Sequence, residues 1–559
     1  MADLYTHGPP TGLVPPAFYT GPGADQQKGP DNPSSDYAAQ INYWQMVDAI
    51  NGGAETIRSA GELYLPKMTN ESVDDYKIRR RAAPFTNIYL DVSRNLASKP
   101  FGREAKLDEG APQPFIDLCE DIDAHGNNFH VFASTTFLHG LDKGIDWILV
   151  DYTNAPLPGE GKVRSVAEEK AAGLRPYWVR IPAERLIAAY SDMIDGKECF
   201  VHVRIKENVV ERGPGIDLET GQWRNEWEEI TKCHVRVYNR QKLGPGAYAS
   251  ATYEVFEKRE IGKKIVWVSI EGPSPVTIGV IALVPFMTGK RMGSSWRVWP
   301  PLRDIAYLQI EEYQQESNLK SIMEQTCYPM LAGNGISGTT PGDNGVAIRV
   351  PVGPRAVLFA PPDSQGNHGE WKSIEPSSES LNTLMKHLEA TQKNIRDLGM
   401  APLTQTNLTV ITTANVAAKA QSQLQAWALA LKDALEQAFV FTAMWLNMDA
   451  GDPDVDIYTD FGVELGDDHD ITNILKAHED GLLSKQSSLE ELKRRSFLSE
   501  NLDVEDEKLR LEADQKDAIA AAVQAIDPVT GQPVLPSQDA GRQPMMAGPN
   551  PLKAKASVN

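Results

Sequence analysis

Residues 300–329 read PPLRDIAYLQIEEYQQESNLKSIMEQTCYP. Pro300 and Pro301 suit the first turn of a helix, where a missing N–H costs nothing, and Pro329 marks its end. The run predicts a helix of roughly 28 residues, about 42 Å long at 1.5 Å per residue. Its middle, EEYQQESN, is too polar to be buried inside one domain, so this helix is expected to need neighbours beyond its own core. A second helix is expected in SSESLNTLMKHLEATQKNIRDLG (377–399), with Ser377 or Ser378 as cap, Glu379 in the first turn, and Lys393 and Arg396 near its far end. Between the two, residues 329–376 switch to Gly/Pro turns and short strands, as in NGVAIRVPVGPRAVLFAPP.

Met400 to Ala418 follows, without one charged residue, although 23% of the chain is charged. Thr and Asn dominate it, and it reads as a loop at the mouth of a third helix that runs to about Asn447. In that helix Leu424, Trp427, Leu431, Leu435, Ala438 and Trp445 recur at spacings of three, four and seven, a core-facing stripe. The tail adds a short strand, DVDIYTDF, a helix, DITNILKAHEDGLL, and another helix opened by a capping box from Ser487 to Glu490. Past about residue 523 the composition is rich in Pro, Gln and Gly and predicts disorder.

Working towards the N-terminus, residues 147–285 carry short β-rich runs such as DWILVDYT, CFVHVRIKENVVER and CHVRVYNRQ. In VHVRI, Val201, Val203 and Ile205 alternate with His202 and Arg204, the period of a half-buried strand. LETGQW and EIGKK sit where hairpin turns belong. Residues 37–100 give helical signals, and the arginines 79–81 point to different faces of one helix, which favours salt bridges and solvation over a phosphate site. Residues 1–36 are Pro/Gly-rich and predict an extended arm. The fold class is α+β.

The 559 residues imply two to four folding units, with enough apolar content for a sizeable core. Lys and Arg number 55 against 76 Asp and Glu, a net charge of −21. That argues against a protein whose affinity comes from coating nucleic acid with cations, but not against one that lets DNA pass without gripping it. The four cysteines form no CxxC pair, which disfavours disulfide and zinc scaffolds and fits synthesis in a reducing cytoplasm. The opening residues hold no apolar leader. The greasiest run, ALEQAFVFTAMWL (434–446), is too short to span a bilayer, so no membrane association is expected.

The order of parts resembles the portal proteins of tailed bacteriophages and related viruses, over about residues 40–515. The likeness is carried by Trp44, Asp48, Gly52, Arg58, Gly61, Tyr64, Leu65 and Pro66, and by Tyr76, Arg79, Arg81, Ala82, Phe85 and Asn87. WPPLRDIAYLQIEEYQQES, YPMLAGNG and HEDGLLSKQSSLEELKRR are further points of similarity. The resemblance implies a ring, usually of twelve subunits, around a channel for dsDNA at one capsid vertex of a virion. Partners would be the large terminase subunit, major capsid and scaffolding proteins, and head-tail adaptor or tail proteins. By this likeness residues 1–36 are an arm, 37–299 the wing, 300–328 the first stem helix, 329–376 the clip, and 377–399 the second stem helix. Residues 400–418 become the tunnel loop, 419–463 a long wing helix and strand, 464–522 the crown, and 523–559 a tail.

On that reading the neutral segment has a purpose. Cations on a loop facing DNA would hold phosphates through counterion release, whereas Thr404, Gln405, Thr406, Asn407, Thr409, Thr412 and Thr413 offer interchangeable hydrogen bonds. Lys320, Lys386, Lys393 and Arg396 are candidates for sparse phosphate contacts, or for pairing with Glu311, Glu312 or Glu389 between subunits. Two other classes compete. A capsid or tail adaptor protein shares the composition without needing two long helices around a β insertion. A metal-dependent nuclease would use Asp467, Asp468, His469 and Asp470 with Asp452, Asp454 and Asp456, yet the first group precedes a helix, where acids complement the dipole. His202 and His234 lie in outward strand phase, which predicts exposed histidines. No P-loop, GxSxG or HExxH is present, so no enzyme activity and no cofactor or metal are expected.

Overall fold

The computed structural model describes residues 29–459 apart from 109, 154–172, 217–222, 226, 262–263, 328–329, 335–368, 375–377 and 401–409, and beyond them 475–480, 484–494, 507, 509–510 and 516. The chain divides at residues 461/462 into two units, described separately. In the first, α1 (Ser35–Asn51), α2 (Gly53–Ser59), α3 (Val73–Ala82), α4 (Ile88–Ser98), α5 (Gln113–Cys119) and α6 (Phe129–Lys143) precede the strands. The β-rich region holds β1 (Ile145–Tyr152), β2 (Pro176–Ile181), β3 (Leu186–Ile194), β4 (Lys197–Arg212), β5 (Glu229–Asn239), β6 (Thr252–Ile261), β7 (Lys264–Pro275) and β8 (Leu283–Met287). The long helices α7 (Arg303–Cys327), α8 (Ser378–Met400) and α9 (Val410–Leu446) follow, with a strand pair, β9 (Met330–Asn334) and β10 (Glu370–Ile374), between α7 and α8.

Among the described residues two antiparallel sheets have more than two strands. One is three-stranded in the order β8-β1-β2; the other is five-stranded in the order β7-β6-β5-β4-β3. Both faces of the first are buried. On the face that carries Phe286 and Trp178, α6 and the C-terminal half of α9 pack. On the other face Trp147 meets Phe200 and Trp296. Phe439 of α9 packs against Phe115, Phe129 and Trp178, and the Trp178 indole N–H donates to Thr442 Oγ1 at 2.8 Å. Gly140 lets α6 lie close on β8, because a Cβ there would stand 2.3 Å from the Phe286 ring. Aromatic rings of this size supply the larger part of the burial energy in such a core.

The N-terminal residues singled out in the sequence serve this core. Trp44 Nε1 donates to the Lys143 carbonyl at 3.0 Å, and the Tyr43 hydroxyl to that of Asp142 at 3.0 Å, so α1 closes the C-terminal end of α6. The buried Lys143 ammonium pairs with Asp48 at 2.8 Å and Glu184 at 2.5 Å. Burial alone would lower its pKa; the two carboxylates more than reverse this and hold it above its ordinary value. Arg58 donates to the Ala83 carbonyl, Tyr76 to that of Leu65, and Asn87 both caps α4 and donates to Ile50 O. Gly61 sits at φ +61°, a conformation open to glycine. Of the three adjacent arginines only Arg79 is buried, in a two-bond pair with Glu71; Arg80 lies over the Tyr76 ring and Arg81 is exposed.

The five-stranded sheet follows the predicted alternation, with Val203 and Ile205 buried. It overturns the expectation for His234. That ring is buried, 3.2 Å from Glu257 Oε2, because Glu207 and Glu257 stand directly opposite it on the flanking strands β4 and β6. His202 is half-buried and meets Asn239 at 3.0 Å. Lys232, His234 and Arg236 thus share one face with Glu207 and Glu257, and Arg236 pairs with Glu207 at 2.9 Å. A polar strand face is covered here because its charges are matched across the strands.

In the second unit, α10 (Lys485–Arg494) is capped by Ser484, whose Oγ accepts from Ser487 N at 3.1 Å. The expected box at Ser487 and Glu490 lies inside the helix; a serine three residues earlier performs the same capping chemistry. Among the described residues no helix is long and apolar enough to cross a membrane.

Replacing Lys143 by Met should leave Asp48 and Glu184 facing each other without a cation. The expected loss is about 3–5 kcal/mol of unfolding free energy, measured by urea denaturation; an unchanged midpoint would show that the triad does not hold α1 to α6.

Candidate functional site

Pro300 and Pro301 deliver the chain into α7, which begins at Arg303 with its guanidinium 4.2 Å over the Trp299 ring. The helix has 25 residues, about 37 Å at the standard rise. Its polar middle departs from expectation: Gln309, Glu312, Tyr313 and Ser317 are buried within the chain, and Glu311 is exposed. The reason is a chain of side-chain hydrogen bonds. Gln309 Oε1 accepts from the backbone N–H groups of Ile88 and Tyr89, both at 2.9 Å, which satisfies two donors at the N-terminus of α4. Gln309 Nε2 donates to Thr86 O and to Glu312 Oε2, both at 3.0 Å. Glu312 Oε1 accepts from Gln392 Nε2 of α8 at 2.8 Å. One amide and one carboxyl therefore join α4, α7 and α8.

Burial pushes the Glu312 carboxyl up to about 7, with a further push from Glu316; the hydrogen bonds from Gln392 and Gln309, and the charge of Arg396, pull the other way. Lower on α7, Gln314 donates to Tyr64 O at 2.9 Å, Thr86 to Glu316 at 3.2 Å, and Gln315 meets His387 of α8 at 3.2 Å. Sequence reasoning missed Gln309 and Gln392. The available signal was glutamine in the polar middle of a long helix, a residue able to bond a backbone on one side and a carboxylate on the other.

Of the four cations put forward from sequence, Lys320 is separated from the rest. Its ammonium is half-buried and donates to Ala82 O at 2.7 Å, completing the C-terminal turn of α3. Lys386, Lys393 and Arg396 come together. On α8, Thr391 and Ile395 are buried against the body, and Gly399 packs on Val92 and Ile305. At 3.6 residues per turn, Lys386, Glu389, Lys393 and Arg396 fall on the side turned away from Thr391 and Ile395. All four are exposed, and none of the three cations makes an ion pair with a described residue of its own chain. The same helix exposes Leu384, Met385 and Leu398, and α7 exposes Met323.

The neutral segment is corrected in part. Thr404, Gln405, Thr406, Asn407 and Thr409 lie outside the described residues. Thr412 and Thr413 are on helix α9, which starts at Val410 rather than near 419 and spans 37 residues. Ala414, Ala417, Ala418 and Ala420 favour that helix, and lack of charge is no coil signal in itself. In the sequence stripe of α9, Leu424, Leu431, Leu435 and Ala438 are buried, and Trp427 and Trp445 half-buried. The strand pair β9–β10 lies in the expected β insertion, whose residues 335–368 are outside the description, as are Asp467, Asp468, His469 and Asp470. Asp454 pairs with Lys432, and Asp456 lies in a two-residue strand opposite Lys106.

Residues 301–446, from the first long helix to the end of the third, match a family described as a domain of unknown function, DUF4055. No curated protein matches the chain. Two solved structures to which it is similar are titled the neck of an empty GTA particle computed with C6 symmetry and the neck of a native GTA particle computed with C12 symmetry. The first shares 11% identity at a TM-score of 0.36, covering 76% of this chain and 94% of that one. The second shares 10% identity at a TM-score of 0.34, covering 77% and 96%.

The buried carboxyl predicts a pH dependence. Folded Glu312 keeps its proton up to about pH 7, against an ordinary value of 4.5. Between those values the folded state binds the extra proton, so stability falls as pH rises through the window and stays reduced above it. Glu312→Gln should melt like the parent chain near pH 4 and higher than it at pH 8. Parallel melting curves at both pH values would show that Glu312 is not held protonated.

Proposed function

We propose that this chain is a phage portal protein. Its copies, twelve in the ring, surround the channel at one capsid vertex through which dsDNA is packaged and later ejected. The reading rests on the resemblance in the order of parts and on one structural observation: the antiparallel pair α7–α8. Lys386, Lys393 and Arg396 are exposed on the side of α8 turned from Thr391 and Ile395, and Leu384 and Leu398, which continue the Thr391–Ile395 stripe, are exposed beyond its buried part. A long helix that leaves both an apolar stripe and a cationic side uncovered marks a surface that another chain covers.

In this assignment α7 and α8 form the stem, and residues 329–376 the clip that offers a surface to the large terminase subunit and later to a head-tail adaptor or tail protein. Residues 37–299 form the wing beside major capsid and scaffolding proteins, and residues 464–522 the crown. Residues 401–409 and the first turn of α9 face the DNA. Thr404, Gln405, Thr406, Asn407, Thr409, Thr412 and Thr413 give it weak hydrogen bonds without fixed cations, so that phosphates slide rather than bind. The chain has no enzymatic role, and a separate ATPase supplies the energy of packaging.

Electron microscopy of the purified protein tests the reading. Closed rings with a central hole are expected; dispersed monomers that cleave DNA in the presence of a divalent cation would contradict it. Deleting residues 403–409, which spares α9, should leave rings intact and impair packaging or retention of DNA. Full-length genome packaging by that variant would place the DNA-facing segment elsewhere.

A further inference from the structure

We infer that the cations on the outer side of α8 are not free for DNA in the assembled ring, but pair with the acidic face of α7 on a neighbouring copy, Lys393 against Glu311 above all. This rests on the ring reading given above and specifies its interface.

The argument begins with height along the helix pair. Gln392 of α8 and Glu312 of α7 are hydrogen bonded at 2.8 Å, so they stand at the same level. The next residue on α8, Lys393, and the preceding residue on α7, Glu311, both turn outward and are exposed. They therefore share a level to within about one residue's rise of 1.5 Å. They do not meet within one chain, because each points away from the bond between the helices. Cyclic symmetry rotates copies without shifting them along the axis. With the helix pair standing along that axis, groups level in one copy remain level between copies.

The second step is what faces what. One side of α7 is taken by the body, through Gln309 to α4 and Lys320 to α3, and another by α8, through Glu312 and Gln315. Between Arg303 and Ile322 the exposed positions are Asp304, Tyr307 and Glu311, two carboxylates seven residues apart. On the outward side of α8, Lys393 is level with Glu311. Because the two helices are antiparallel, Arg396 stands one turn closer to the level of Asp304, whereas Lys386 lies seven residues to the other side of Glu311. When the outer side of α8 in one copy reaches α7 of the next, this is the face it meets, and the charges are complementary. The interface is heterologous, two different surfaces of one chain, which is the kind that closes into rings. In a chain with net charge −21, such matching also offsets repulsion between adjacent copies.

Charge exchange tests the pairing. Lys393→Glu and Glu311→Lys should each lower the fraction of protein in rings by roughly tenfold or more, as like charges meet at every interface. The chain carrying both changes should recover rings. Circular dichroism should show all three folded, since both sites are exposed. If the parent chain forms no rings, the portal reading itself fails. If it forms rings and neither single reversal disturbs them, or both disturb them and the double change gives no recovery, the pairing is overturned and the portal reading survives. A chain with Lys393→Cys and Glu311→Cys gives a second readout. Oxidation should produce a ladder of cross-linked multimers on a denaturing gel, and absence of a ladder from assembled rings would overturn the pairing.

Discussion

The side-chain amide of Gln309 is the contact on which the arrangement of the long helices depends. Its oxygen satisfies two N–H groups at the start of α4, and its nitrogen reaches Glu312, which in turn holds Gln392. Buried donors left without partners cost on the order of 1–3 kcal/mol each. Replacing the glutamine by an apolar residue would therefore release α4, α7 and α8 together. Because this bond network sits in the upper half of α7, the pair is fixed to the body there. Apart from Thr391, Ile395 and the residues bonded to α7, α8 is exposed over most of its length, and its cations await a partner.

The strands were readable because pleating imposes a period of two, so the valines of VHVRI announce which side is inward. The start of α7 was readable from Pro300 and Pro301, and the stripe of α9 from its leucines. What failed has a common physical cause. His234, Glu312 and Gln309 are polar residues turned inward, and their burial depends on partners distant in sequence: Glu257 and Glu207, Gln392, and the backbone of Ile88 and Tyr89. A single chain read in order does not display those partners. The early start of α9 has another cause: a run without charge reads as a loop, although its alanines favour helix.

The candidate site was legible at the level of residue type and less so at the level of use. Lys386, Lys393 and Arg396 do share one exposed side of α8, as helical spacing required. Lys320 has the same chemistry and a comparable place on α7, yet it is spent on Ala82 O within the chain. Whether a lysine caps a helix or waits for a partner is decided by what lies 3 Å from it, which spacing alone does not encode. The N-terminal residues that carried the resemblance, Trp44, Asp48, Arg58, Tyr76, Arg79 and Asn87, all hold helix ends or turns to one another. Their pattern reports the fold of the body rather than any chemistry performed there.

The central claim is that the exposed side of the α7–α8 pair is covered by identical copies. Methionine oxidation tests it within a single sample, because sulfoxide formation follows exposure. In the isolated chain Met385 is 45% exposed, close to Met68 at 44% and Met292 at 43% on the body. In the purified protein at working concentration, Met385 should oxidise roughly tenfold more slowly than those two. Equal oxidation of all three would contradict the account.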